Sequence, residues 1–308
     1  MKRLLSIGAA VMAATVAISA QKPMNAPKGG KAISDELIGI FFEDINNSAD
    51  GGLYAELVQN GSFEFSPADR DGWGAGTAWK QIRPGHSLGT VQVRMDNPLH
   101  PNNATYMRLH TERTREFHDY KGWKGFGLQN DGFDGISVKA GAKYDFSAFL
   151  RNIGNAKQVR VVLAKPAAKW GEDPTVLAET TLSVSNKSWQ KYEAVLTPAE
   201  DCKNANLQIL VLTVGDLDID QVSLMPEDTY KGHGLRKDLA QALADLKPKF
   251  MRFPGGCVVH GGGDGFWNTY RWKTTIGPKE QRRQLKNTWG YHQSCGLGYY
   301  EYFQFCED

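Results

Sequence analysis

The sequence lacks several features that identify common protein classes. Its 308 residues include only four cysteines, widely scattered, which excludes a disulfide-rich scaffold. The 36 basic and 34 acidic residues leave a formal net charge of +2, which argues against a polyanion-binding surface and therefore against a nucleic-acid partner. We find neither internal repeats nor low-complexity segments. Composition alone therefore indicates one large globular domain or two ordinary ones.

Familiar catalytic and ligand-binding motifs are missing as well. There is no His-Glu-x-x-His and no paired Cys-x-x-Cys, and His233, His260 and His292 are too far apart in sequence for a metal-binding motif. The chain also has no Gly-x-Ser-x-Gly and no phosphate-binding loop. These absences exclude the usual patterns of zinc proteases, serine hydrolases and nucleotide-binding enzymes.

The only long apolar run lies at the start of the chain. Lys2 and Arg3 precede an apolar stretch over residues 4–18, and Ser19-Ala20 offers a small-residue cleavage point. This stretch is shorter than the roughly 20 residues of a membrane span, so residues 1–20 are predicted to be a signal peptide rather than an anchor. We expect a secreted or periplasmic protein with no membrane partner after signal removal. An oxidising compartment would permit a Cys295–Cys306 disulfide, but the helix-like segment around both cysteines disfavours it.

The segment 33–60 begins with an apolar run, residues 37–42, that ends at Glu43-Asp44. A short run that is apolar throughout predicts a strand buried on both faces. The spacing of Leu53, Leu57 and Val58 then predicts a short helix.

Residues 61–226 have the pattern of an all-β region. Alternating or apolar segments separated by turn signals predict an antiparallel sandwich or jelly roll. The strands are predicted over residues 144–148, 158–161, 189–196, 207–214 and 217–224.

From residue 227 to 308 the pattern becomes helical. An apolar stripe over residues 235–246 predicts a helix ended by Pro248, and residues 250–253 predict a strand that leads into Pro254-Gly255-Gly256. The last segment, residues 298–308, resembles an amphipathic helix on which Glu301 and Glu307 should be solvated. This succession of helix, strand and glycine-rich loop is typical of a βα barrel or a doubly wound sheet. We therefore expect the runs at 37–42 and 250–253 to pair as adjacent parallel strands.

Three local features are candidates for chemistry, each with a simpler alternative. Glu43 follows a strand end, where barrel enzymes place active-site groups, but the local sequence alone favours a helix-capping or solvated acid. The glycines after residue 253 would let a ligand approach the backbone, or would simply form a tight turn. Tryptophans can stack on sugar rings or belong to the core; those concerned are Trp267, Trp272 and Trp289.

Taken together, several motifs resemble the α-L-arabinofuranosidases of glycoside hydrolase family 51. The matching segments are residues 37–46 (LIGIFFEDIN), 51–64 (GGLYAELVQNGSFE), 250–257 (FMRFPGGC), 270–278 (YRWKTTIGP), 289–291 (WGY) and 296–299 (GLGY). Between them, residues 60–64, Gly72-Trp73 and 217–224 resemble a jelly-roll carbohydrate-binding module. The matches cover nearly all of the chain that follows the signal segment.

The resemblance implies roles for four residues. Glu43 would hydrogen-bond a hydroxyl of the arabinofuranose in the innermost subsite, Gly256 and Cys257 would present backbone to the same sugar, and Trp289 would wall the pocket. Two positions depart from the family pattern: Arg282-Arg283 stands where Arg-Pro is usual, and His260 stands where an acid is common.

The resemblance also implies a fold class, α/β plus all-β. A partial (β/α)8 TIM-barrel fragment, residues 33–60 and 227–308, would carry an inserted β-sandwich, the jelly roll of residues 61–226. The implied function is hydrolysis of terminal non-reducing α-L-arabinofuranosyl residues in plant polysaccharides. The retaining mechanism needs two carboxylates, of which the family's acid/base follows an Asn-Glu pair. No such pair occurs in the 308 residues, so we expect an inactive fragment without the catalytic Glu pair.

Alternatives remain at this level. The chain could be a non-catalytic carbohydrate-binding protein, or a structural adhesin, an alternative that only the export signal supports. The β module could bind polysaccharide weakly through exposed aromatics, or be a structural spacer. We expect no cofactor other than a structural Ca²⁺ held by Glu64 with Asp218 or Asp220. The sequence does not fix the oligomeric state.

Overall fold

The computed structural model describes residues 29–114, 123–155, 158–169 and 172–308. The predicted signal segment, residues 1–20, lies outside these ranges. The chain divides into two units, residues 1–37 and 38–308, and the described part of the first contains one 3-10 turn, Asp35–Leu37. Within the described ranges, none of the helices has the length and apolar character needed to cross a membrane.

Two antiparallel β-sheets form the middle of the second unit. In spatial order, the five-stranded sheet consists of β10 (Gln190–Leu196), β7 (Tyr144–Asn152), β12 (Gly215–Pro226), β4 (Tyr106–Arg113) and β3 (Leu88–Arg94). The six-stranded sheet consists of β2 (Trp79–Ile82), β5 (Phe126–Asn130), β11 (Cys202–Val211), β8 (Gln158–Lys165) and β9 (Thr175–Ser183), with β6 (Ile136–Val138) beside β11.

The inner faces of these sheets share one hydrophobic core. Leu150 and Ile219 from the five-stranded sheet and Val161 and Ile209 from the six-stranded sheet are all inaccessible to solvent. Because strand side chains alternate between the two faces, the intervening residues point away from this core. The sandwich predicted from sequence alternation is therefore present.

The segments on either side of the sandwich meet through a short parallel pair. Strand β1 (Ile40–Phe41) lies beside β13 (Met251–Arg252), with Ile40 opposite Met251 and Phe41 opposite Arg252. The predicted parallel pairing is thus confirmed. A second apolar cluster packs around this region, and its buried members include Leu53, Tyr54, Leu235, Ala240, Tyr302 and Phe305.

The expectation that this strand is buried on both faces is wrong. Ile38, Phe41 and Phe250 are 66%, 51% and 52% exposed. Within the described residues, β1 and β13 pair only with each other, so no neighbouring strand covers their apolar side chains. The described ranges accordingly contain no closed barrel.

The remaining elements are short. The α-helices are α1 (Lys237–Asp245), α2 (Cys257–His260) and α3 (Tyr299–Glu307), and a hairpin joins β14 (Leu285–Asn287) to β15 (Tyr291–Gln293). Further 3-10 turns span Pro84–His86, Tyr230–Gly232, Gly262–Asn268, Trp272–Thr274 and Lys279–Gln281. The helices predicted before Pro248 and after residue 298 are present as α1 and α3.

Two local predictions from the sequence fail. The helix predicted around Leu53 and Leu57 is absent, because the amides of Ala55 and Leu57 donate to the carbonyls of Gly234 and Leu224 instead of closing helical turns. Glu301 is not solvated either. Its side chain is 14% exposed and pairs with the Arg282 guanidinium, with an Nη2–Oε1 distance of 2.7 Å.

Candidate functional site

The parallel pair β1–β13 places two loops at one edge. Residues that follow the carboxyl ends of neighbouring parallel strands lie close together. Glu43 comes two residues after β1, and the turn of residues 253–256 follows β13. The local order of strand, acid and glycine turn therefore brings together groups that are about 210 residues apart in sequence.

Glu43 contacts the turn directly. Its Oε1 accepts a hydrogen bond of 2.8 Å from the amide of Val258, in the first turn of α2. Gly255 has φ of +138°, and a Cβ at that position would lie 2.3 Å from the Cγ of Glu43. Glycine is therefore required there both by the backbone conformation and by the approach of the carboxylate.

The buried side chain of Asp44 stabilises the loop that follows β1. It is 1% exposed, and its carboxylate accepts hydrogen bonds from the amide of Ala49 at 3.0 Å and from Nε2 of Gln293 at 3.2 Å. The Tyr291 hydroxyl lies 3.1 Å from Oδ1 of Asp44 and 2.7 Å from its carbonyl oxygen. Burial and the charge of Asp50 together raise the pKa of Asp44 to about 7. A carboxyl that titrates near neutrality thus lies next to Glu43 in the chain.

The β14–β15 hairpin is attached to the same loop. Asn287 donates from Nδ2 to the carbonyl of Asp44 at 2.9 Å, and its Oδ1 accepts from the amide of Trp289 at 2.7 Å. Ser294 fixes the other end, since its amide and hydroxyl lie 2.6 and 2.7 Å from the carboxylate of Asp50. These contacts attach the hairpin, and with it Trp289, to the loop that contains Asp44. Trp289 is 47% exposed.

The structure brings together three of the four predicted site residues. Glu43 lies against the segment that contains Gly256, the last residue of the turn, and Cys257, the first residue of α2. The thiol of Cys257 is free and half-buried. Trp289 is connected to them through the hydrogen bonds of Asn287 to the Asp44 loop. The binding roles of these residues stay predictions.

Other sequence alternatives are decided by exposure. Trp267, Trp272 and Trp289 are 82%, 45% and 47% exposed, so none of them belongs to the core. The four cysteines are free, so the Cys295–Cys306 disulfide is not formed.

The residues suggested for Ca²⁺ do not provide a suitable ligand set. The carboxylate of Asp218 is 2.7 Å from Nε of Arg108 and 2.6 Å from Nη2 of Arg151, so two guanidinium groups occupy it. Glu64 accepts from the amide and hydroxyl of Thr105. Burial raises the pKa of Asp220, which favours its neutral form. No group of three or more acidic, His or Cys side chains suited to a metal occurs in the described ranges, whereas Ca²⁺ takes about six to eight oxygen ligands.

Sequence reasoning missed the residues that support the site. Asp44 and Tyr291 lie in the matching segments 37–46 and 289–291, but no role was predicted for either, and Asp50 and Asn287 lie outside the motifs. Their part depends on hydrogen bonds across more than 240 residues of chain, such as that between Tyr291 and Asp44. The one available signal was the acidic pair Glu43-Asp44 directly after a strand.

Known α-L-arabinofuranosidases share sequence with most of this chain. Residues 242–308 match the family model described as the alpha-L-arabinofuranosidase 1 domain. An extracellular exo-alpha-L-arabinofuranosidase of Streptomyces chartreusis is 40% identical, over 91% of this chain and 32% of its own length. Alpha-L-arabinofuranosidase 1 of Arabidopsis thaliana is 35% identical, over 91% of this chain and 40% of its own length.

A solved structure extends the similarity to the fold. An arabinose-bound α-L-arabinofuranosidase of the GH51 type superposes with a TM-score of 0.73 at 29% identity, over 88% of this chain and 42% of that one. The chain therefore spans about a third to two fifths of the length of these relatives. By sequence and by fold, the chain is a GH51-like relative of the α-L-arabinofuranosidases.

Proposed function

We propose that this chain forms the substrate-recognising part of an α-L-arabinofuranosidase. Such an enzyme removes terminal non-reducing α-L-arabinofuranosyl residues from arabinose-containing plant polysaccharides. The observation that carries the proposal is the carboxylate of Glu43, fixed at the end of β1 against the amide of Val258. The 40% identity to the Streptomyces chartreusis relative supports the substrate class.

In this proposal each predicted residue has a binding role. Glu43 is half-buried and uses Oε1 for the turn, which leaves Oε2 to accept a hydrogen bond from a sugar hydroxyl. The backbone of Gly256 and Cys257 would contact the same sugar. Trp289 offers an exposed, flat apolar surface for a wall of the pocket.

The chemistry of bond cleavage needs groups that the binding residues do not supply. A retaining glycosidase uses a nucleophile and an acid/base whose carboxyl groups are about 5–5.5 Å apart. The family resemblance places the acid/base after an Asn-Glu pair, and the 308 residues contain none. We therefore expect the chain to bind arabinofuranosides and to show no turnover of an aryl α-L-arabinofuranoside above a buffer control.

The finer architecture and the compartment belong to the same proposal. Residues 33–60 and 227–308 would be parts of a (β/α)8 barrel, and residues 61–226 its inserted module. The exposed apolar side chains of Phe41 and Phe250 fit strands that have further neighbours in a larger sheet. Residues 1–20 would direct secretion or periplasmic export, in keeping with the extracellular Streptomyces relative.

Ligand selectivity tests the proposal. Calorimetric titration of residues 21–308 with methyl α-L-arabinofuranoside should give saturable binding. Methyl β-D-xylopyranoside, a neutral pentoside with a six-membered ring, serves as the matched control and should bind at least about tenfold more weakly, a difference of about 1.4 kcal/mol. Equal affinity for the two glycosides would contradict the assignment of the substrate class.

A further inference from the structure

A large cavity lies on the outer face of the five-stranded sheet. Its volume is about 790 Å³, within the range of roughly 300–1,000 Å³ typical of small-molecule sites. Ser147 and Phe149 of β7 line it, while their neighbours Ala148 and Leu150 face the sandwich core. The opposite wall comes from the segments that flank the sandwich. Glu43, Gly256, Cys257 and Trp289 do not line this cavity. Asp50, Tyr291 and Ser294 do, so the cavity adjoins the loop that follows β1 without including the four predicted site residues.

Charged groups of both signs meet in the cavity. Lys279 lies 4.4 Å from the centre of the Tyr54 ring and donates to the Tyr54 hydroxyl. Glu56 accepts hydrogen bonds from the hydroxyl of Ser223 at 2.5 Å and from the amide of Leu224 at 2.8 Å. An ammonium has three N–H donors and a carboxylate about four lone-pair sites, so both groups retain capacity for a ligand.

These groups face an enclosed space. The side chain of Lys279 keeps a large accessible surface, yet loss of solvation lowers its pKa. Burial likewise raises the pKa values of Asp50 and Glu56, both of which are only half-buried by accessible area. Accessible surface combined with poor solvation describes groups on the wall of a deep cavity.

One polar group in the cavity wall has no partner. The side-chain nitrogen Nε2 of Gln221 is buried without a hydrogen bond. Gln221 lies at a bulge of β12, between Asp220 and Ser223, and has φ of +48°. Bulges re-aim side chains beside functional sites, and an unsatisfied buried donor is rare in folded proteins. Because Nε2 itself is inaccessible, the Gln221 side chain has to turn toward the cavity before a ligand acceptor can satisfy this donor.

An aromatic pair forms another part of the wall. The rings of Phe65 and Trp73 stack with a centroid distance of 4.8 Å and an interplanar angle of 9°, and His292 lies 5.0 Å from Phe65. Both Phe65 and Trp73 are half-buried and line the cavity. The Arg70 guanidinium also lies over the Trp73 ring, 5.7 Å from its centre, so Trp73 offers a sugar an apolar ring edge rather than a free ring face.

We propose that this cavity is a second saccharide site, which binds a neutral oligosaccharide segment between the sandwich and its flanking segments. Sugar hydroxyls both donate and accept, so a hydroxyl that accepts from Lys279 can at the same time donate to Asp50 or to Glu56. The carboxylates oppose an anionic ligand, and the ammonium of Lys279 opposes a metal cation or an amine. The exposed Lys191 and Glu193 on edge strand β10 mark the rim by which the chain of sugars enters.

Variants of the full chain test this site with two probes that contain no arabinofuranosyl residue, xylotriose and cellotriose. We expect saturable calorimetric binding of at least one probe. Lys279→Met and Trp73→Ala should each weaken it at least about tenfold, the loss expected for one good hydrogen bond or ring contact. The matched control Lys203→Met, an exposed lysine on β11, and Glu43→Ala should both change the affinity less than about twofold.

The outcomes separate this site from the Glu43 turn. Binding lost in Glu43→Ala and retained in Lys279→Met would overturn the second site, as would no saturable binding of any probe. Binding that follows the cavity variants supports it even if methyl α-L-arabinofuranoside fails to bind, a result that would count against the proposed function alone. If circular dichroism shows that Lys279→Met is unfolded, Gln221→Asn replaces it, because asparagine tolerates the positive φ while shortening the amide's reach.

Discussion

At the scale of single residues, the carboxyl of Asp44 governs how the Glu43 loop is held. It is almost inaccessible and connects two segments: its own loop through Ala49, and the β15 strand through Tyr291 and Gln293. Burial and the neighbouring Asp50 raise its pKa to about 7. The loop that presents Glu43 should therefore respond to pH near neutrality.

The first prediction concerns Asp44→Asn. A carboxyl whose folded-state pKa is about 7, above its ordinary value of about 3.9, stabilises the fold fully below pH 3.9, and this contribution is lost as pH rises through 7. Asparagine cannot ionise and keeps an acceptor for Ala49. The free energy of unfolding should therefore fall less in Asp44→Asn than in the parent between pH 4.5 and 7.5.

Urea unfolding at several pH values measures this difference. The matched control is Asp71→Asn, at an exposed position, which should follow the parent curve. The carboxyls of Glu56 and Asp220 are common to all three proteins. Asp50 interacts with Asp44, so Asp44→Asn also removes a cause that raises the pKa of Asp50, which adds to the expected difference. Parallel curves for the parent and Asp44→Asn would refute the role given to Asp44.

The second prediction concerns the buried ion pair of Arg282 with Glu301. Arg282 is 4% exposed and also donates to the carbonyls of Gly277 and Cys295, both at 2.9 Å. Arg282→Met would leave a mostly buried carboxylate and two carbonyls without this donor, at a cost of about 3–5 kcal/mol in unfolding free energy.

A surface pair provides the comparison for this variant. Arg236 pairs with Asp238, and their side chains are 42% and 66% exposed. Arg236→Met should cost about 0–1 kcal/mol in the same urea experiment, because exposed ion pairs are well solvated. A similar loss in both variants would show that burial of the Arg282 pair has no special effect.

At the scale of elements, stability depends on the two-sheet core. Leu150 lies on β7, which pairs with β10 and β12, and it is inaccessible to solvent. Leu150→Ala should lower the unfolding free energy by about 2–5 kcal/mol, from lost burial and the cavity that remains. Val195 on β10 is 55% exposed, so Val195→Ala should change it by less than about 0.5 kcal/mol. Equal effects in chemical denaturation would contradict the assignment of the core face.

The same strands show which elements a sequence can predict. Residues 144–148 alternate between core and outer face, and this alternation is visible in the sequence as a period of two. The absence of the helix predicted around Leu53 could not be predicted in the same way. The apolar spacing suits a helix, but amides in this segment bond to Gly234 and Leu224, which lie far away in sequence. Long-range pairing of this kind overrides local propensity.

The exposure of the parallel strands β1 and β13 was not predicted for a different reason. The apolar run at residues 37–42 predicts burial correctly only where further strands or helices cover both faces. In the described residues β1 has β13 as its strand partner, and Phe41 and Phe250 stay half exposed. The pattern thus identifies the strand and its parallel partner but not the elements that cover it.

At the scale of the whole molecule, the chain joins two regions that we propose to bind saccharides. The Glu43 turn lies at the end of the β1–β13 pair, and the cavity with Lys279 and Trp73 lies on the outer face of the sandwich. Family resemblance in the sequence predicted the first region, because Glu43 and the glycine turn occur in recognisable motifs. The second depends on the packing of the sandwich against its flanking segments, which no local pattern records.

The most direct test of the account is the affinity of Glu43 variants for methyl α-L-arabinofuranoside. Glu43→Ala removes a charged acceptor that we place on a sugar hydroxyl, a contact worth about 1.5–3 kcal/mol, so binding should weaken by about tenfold to a hundredfold or more. Glu112→Ala, at an exposed position on β4, is the matched control and should bind as the parent does. Calorimetry on folded variants that gives the same affinity for Glu43→Ala and the parent would contradict the account.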